Sequence, residues 1–63
     1  MASEVLKNVA EGLKSVDVQI AEAHELISAL KEAGENTMQL ETDLRALVIR
    51  KDRWVKMLKA RGL

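Results

Sequence analysis

The stretch LKNVAEGLKSVDVQIAEAHELISAL, residues 6–30, decides the fold. Read in alternating steps of three and four, it lands on Leu6, Val9, Leu13, Val16, Ile20, Ala23, Ile27 and Leu30, apolar at every step. A repeat of about 3.5 residues keeps one line of a helix facing one neighbour, so the pattern predicts a helix with a coiled-coil-like seam. One flank of the seam reads Val5, Gly12, Gln19, Leu26 and Ala33, and the other reads Ala10, Asp17, His24 and Lys31. Because the first flank is mostly apolar or small, the stripe is wider than a two-stranded zipper requires and suits a bundle of three or four helices.

The signals at either end of this stretch set its limits. Ser3 is placed to cap the helix, and Gly34 follows the last apolar turn, where a left-handed residue commonly ends one. Helix 1 is expected over about residues 4–33. Asn36, with Gln39 three positions on, has the form of a capping box that opens a second helix over about residues 37–61. The connection at 34–36 is so short that the two helices must lie antiparallel as neighbours. A three-helix arrangement, or one continuous helix through 34–36, would use much of the same pattern.

The second helix carries its apolar stripe at Leu40, Leu44, Leu47, Trp54 and Leu58, widened by Val48 and Val55, with Gly62 at the terminating position. Lys51 interrupts that stripe. It either sets register or oligomeric state, or lays its stem along the stripe and carries its ammonium to solvent, toward Asp17 or His24.

Composition agrees with this plan. The chain has 63 residues with 48% hydrophobic and 32% charged, a single Trp, no Phe, Tyr, Pro or Cys, and one His. Such a composition belongs to helical bundles. No apolar run approaches the ~18 residues of a membrane span, and the N-terminus lacks the pattern of a secretory signal, so a cytoplasmic protein without membrane contact is expected. A chain this short has a thin core that is usually reinforced by disulfides, metal or oligomerisation, and the missing cysteines leave oligomerisation. The expected fold is therefore all-α: one domain over 1–63, an antiparallel two-helix hairpin that dimerises into a four-helix bundle. The self-association interface is assigned to Leu6, Val9, Leu13, Val16, Ile20, Ala23, Ile27 and Leu30 with Leu40, Leu44, Leu47, Lys51, Trp54 and Leu58.

Formal net charge is zero, yet residues 1–44 hold nine acids and three bases while residues 45–63 hold seven bases and one acid. The bases Arg50, Arg53, Lys56, Lys59 and Arg61 are candidates for contact with nucleic acid or an acidic partner, with Trp54 able to stack on a base if exposed. Helix-dipole complementarity explains part of the split. Pairing across the hairpin explains more if facing residue numbers sum to about 70, which sets Arg53 near Asp17, Lys59 near Glu11 and Arg45 near Glu25. Trp54 itself falls on the stripe, where core or bundle-interface packing is the default.

The remaining features have plainer readings. His24 beside the seam is expected to be a partly buried, hydrogen-bonded histidine, since no second His or Cys stands at a metal-binding spacing. Gly12 either admits a closely packed neighbour or is tolerated. Val18, Ala29, Ile49 and Met57 point outward, with Val18 and Ile49 as a possible patch for a partner. Neither an activated nucleophile nor a glycine-rich phosphate loop is present, so no enzyme, catalytic residue, metal site or cofactor is expected. The functional expectation is a non-enzymatic helical interaction module, an adaptor, assembly factor or regulator working through protein contacts. The second candidate is an RNA- or DNA-binding dimer.

Overall fold

A computed structural model describes residues 4–63, and within them the chain is all-helical. Helix α1 spans Glu4–Glu32 and helix α2 spans Met38–Ala60. The two pack against each other as a hairpin. The result is a rod measuring 51 × 15 × 13 Å. All four helix ends lie within a residue of those the sequence predicts. Ser3, the expected cap of α1, lies outside the described residues.

Gly34 ends α1 because it adopts φ +82°, a left-handed conformation that costs a residue with a Cβ about 1–2 kcal/mol. The turn is closed by two backbone bonds, Gly34 N–H to the Lys31 carbonyl at 3.0 Å and Glu35 N–H to the Leu30 carbonyl at 2.9 Å. These satisfy carbonyls that the helix end would otherwise leave open. Helix α2 ends in the same way at Gly62, φ +83°, where Leu63 N–H donates to the Leu58 carbonyl at 2.8 Å. That bond brings Leu63 back beside Leu58, and both line one groove.

The start of α2 differs from the capping box read from the sequence. Thr37, not Asn36, is the cap residue, and its side chain makes no capping bond. Asn36 still serves the helix end, since its Oδ1 accepts from Met38 N–H at 2.9 Å. Gln39 does not reach back, because its amide donates forward to Asp43 at 2.9 Å. An i, i+4 partner on the same helix competes successfully for that side chain.

The contact line between the helices is narrow. Ile27, Leu44 and Leu58 are the buried apolar residues among those described. Leu6, Val9, Leu13, Val16, Ile20, Ala23 and Leu30 of α1, and Leu47, Val48, Lys51 and Val55 of α2, are half-buried along the same line. Two cylinders touch along one line, so burial is deepest on it and falls away on either side.

Candidate interaction face

The hairpin has two long sides, one along each flank of the contact line. They differ chemically. On the first, α1 presents Ala10, Asp17, His24 and Lys31, and α2 presents Glu41, Val48 and Val55. Both ion pairs found among the described residues cross here: Lys31 to Glu41 at 2.6 Å, and Lys51 to Asp17. The hydrogen bond from Lys31 holds the Glu41 carboxyl below the usual carboxylate range. Its counterpart from Asp17 raises Lys51 above the ordinary lysine value, against a smaller opposing effect of burial.

Lys51 therefore lies along the stripe and delivers its ammonium to the flank. The expected pairs of Arg53 with Asp17, Lys59 with Glu11 and Arg45 with Glu25 do not form; Asp17 is taken by Lys51, and Arg45 Nε instead donates to the Glu41 carbonyl within its own helix at 3.5 Å. His24 also departs from expectation, being exposed and lining an open groove of about 650 Å3 with Ile27, Glu41, Leu44, Arg45, Val48 and Ile49. No set of three metal-ligating side chains comes together among the described residues.

On the second side the residues are largely apolar. Leu26 and Leu40 share a groove with Ala23, Leu47 and Asp43, and Asp43 is its one charged member. Leu26 is 53% exposed, Leu40 41% and Trp54 45%. The heptad places Val5 in line with Leu26 on α1, and Trp54 in line with Leu40 and Leu47 on α2. Trp54 is thus not core within the hairpin; it lies at the edge, beside Arg53 and the half-buried Met57, although Met57 reads as outward-facing in the sequence. Gly12 belongs to this flank as well, and nothing lies within 4 Å of a Cβ built on it. Within the hairpin no neighbouring helix justifies it.

The interface assigned from sequence accordingly divides. Ile27, Leu44 and Leu58 are consumed inside the hairpin, while Leu40 and Trp54 remain open. Val5 and Leu26 fall outside that assignment, yet they are among the most exposed large apolar side chains of α1. The apolar flank Val5, Gly12, Gln19, Leu26 and Ala33 is the signal that finds them. Of the outward residues, Val18 and Ile49 are exposed. Ile49 lines the first groove without Val18, so they form no joint patch there.

Folding also rearranges the charge. The Lys51 to Asp17 pair sets those two residues at one level of the rod. The open half, residues 4–17 and 50–63, carries eight bases and four acids, and the turn half, residues 18–49, carries two bases and six acids. The rod is a lengthwise dipole, +4 at the open half and −4 at the turn half. Arg50, Arg53, Lys56, Lys59 and Arg61 are all exposed at the open half. No ion pair among the described residues involves them.

No protein-family model matches the chain, and neither a curated protein nor a solved structure shows significant similarity to it. Among the described residues, no helix is long and apolar enough to cross a membrane.

Proposed function

We propose that this chain is a non-enzymatic interaction module: a helical hairpin that self-associates, most simply as a dimer forming a four-helix bundle in the cytoplasm, and offers its outer surfaces to a protein partner. In that role it is an adaptor, assembly factor or regulator. The observation that carries the reading is the exposed edge of Val5, Leu26, Leu40 and Trp54. Full burial of such a side chain is worth about 1.5–3 kcal/mol, so covering the exposed half recovers about 1 kcal/mol each. Summed over the edge, that rivals the ~3–9 kcal/mol stability of a chain this size. Sedimentation equilibrium from ~1 to ~100 μM, a range in which modest hydrophobic interfaces assemble, tests it. A folded monomer throughout removes the proposal.

A second reading is supported by the five unpaired bases of the open half, with Trp54 half-exposed among them. Clustered bases without internal partners suit the phosphates of RNA or DNA. Titration of mixed RNA and duplex DNA at low and moderate salt separates the two. Steep salt-dependent binding favours nucleic acid, and no binding at low salt eliminates it.

A further inference from the structure

We infer that the surface seated on the Leu26–Leu40–Trp54 edge is a second copy of this chain laid antiparallel, so that the turn half of each copy covers the open half of the other. The inference rests on the self-association reading and adds the face and the direction.

Three features of the rod converge on it. The edge is largely apolar, with Asp43 the one charged member of its groove, and both cross-hairpin ion pairs found among the described residues lie on the opposite flank, so covering the edge strips neither of its water. The rod is 51 Å long and 15 Å across, so a long side covered end to end offers at most roughly 750 Å2 per copy, which reaches the ~800 Å2 per partner of a stable specific interface only when the copies overlap along their full length. Direction follows from the charge. A parallel dimer stacks a half of +4 on another of +4, and −4 on −4. The antiparallel dimer sets opposite signs against each other at each end, at separations of about a helix diameter (~10 Å), only slightly beyond the ~8 Å screening length at physiological salt, so part of the attraction survives screening. Electrostatics of this kind selects orientation more than it adds affinity.

The chain has no cysteine, so Glu35→Cys in the turn takes one spin label, and the separation between copies can be read by pulsed dipolar spectroscopy. The antiparallel dimer places the two turns at opposite ends of the assembly, about 45 Å apart from the rise of α1. A parallel dimer places them within about 20 Å, two helix diameters. Sedimentation of the same labelled sample reports the oligomeric state independently. Leu26→Glu should weaken the dimer at least about tenfold, while Ile49→Glu, at an exposed position lining the groove on the opposite flank, should leave it unchanged. Dilution of salt should tighten the dimer, since the attraction between opposite halves is screened.

A dimer with the long separation and with sensitivity at Leu26 alone supports the inference. The short separation overturns the direction while leaving self-association standing. A dimer indifferent to Leu26→Glu overturns the face. A monomer by sedimentation overturns the underlying reading and this inference with it.

Discussion

Leu44→Ala should, with Leu58→Ala, be among the most damaging single truncations in α2, and the reason it should not reach the largest values known for such changes is the thinness of the fold. Leu44 is 8% exposed and stands on the contact line beside Ile27. In a closed core, Leu→Ala costs about 2.7–5 kcal/mol, of which part is the cavity left behind. Here Leu44 borders the grooves on both flanks, so water or neighbouring side chains fill the space and the cavity part is small. The transfer part alone is about 2 kcal/mol. For a chain of this length that is a large share of the total, and it lowers the melting temperature by roughly 10–15 °C. Urea unfolding followed by far-ultraviolet circular dichroism measures it, with Leu40→Ala as the matched control. At protein concentrations below self-association, Leu40→Ala removes a side chain already 41% in water and costs under about 1 kcal/mol. Equal costs for the two substitutions under those conditions would mean that the contact line has been misplaced.

Three further outcomes follow from local geometry. Gly34→Ala should cost about 1–2 kcal/mol through the backbone alone, because nothing crowds a Cβ there; Gly62→Ala should cost less, since it frees only the last turn of α2, and thermal unfolding compares them. The Glu41 carboxyl, held below its usual range by Lys31, contributes stability at neutral pH that is lost as pH falls through that lowered value. Lys51, raised by Asp17, contributes stability that is lost only as pH climbs past its raised value. A melting-temperature profile against pH should therefore decline at both extremes, with Lys31→Met softening the acid limb and Asp17→Asn the alkaline one. Trp54 is the sole Trp, so its emission should shift to the blue as concentration drives association, and an unchanged spectrum across the association range would place it outside the interface.

The seam of α1 was legible because a period sustained from Leu6 to Leu30 has one structural solution. The turn was legible because Gly34 does something most residues do poorly, and its φ of +82° is that act. What could not be read was which charged groups meet. The observed pairs, 31 with 41 and 51 with 17, have numbers summing to 72 and 68, straddling the expected 70. Long side chains on the facing flanks reach up or down by a residue or more, so helix register alone does not choose partners. His24 escaped for a related reason. Its place beside the seam suggests shelter, but two thin helices shelter only the line itself, and a flank position one step away is open to water. The width of the α1 stripe was visible from Val5 and Leu26. Its consequence, an apolar edge continuous with Leu40 and Trp54, needed the antiparallel fold to set the two lines side by side.

That edge explains why the hairpin is unlike a self-sufficient one. A two-helix rod content to remain alone would bridge both flanks with polar groups; among the described residues this one does so only on the flank where Lys31 meets Glu41 and Lys51 meets Asp17, and the other is largely apolar. Giving the second flank the chemistry of the first should therefore abolish association without unfolding the chain. Leu26 and Leu40 share a groove and are both substantially exposed, so Leu26→Lys with Leu40→Glu installs an opposite-charge pair where the native protein has two leucines. The variant keeps Ile27, Leu44 and Leu58, the residues that hold α1 to α2. Its helicity by circular dichroism should stay within about a tenth of the native value, since surface substitutions away from the contact line change stability little, while sedimentation should report a monomer. Association that persists in the substituted protein would show that the molecule meets its partner through some other surface.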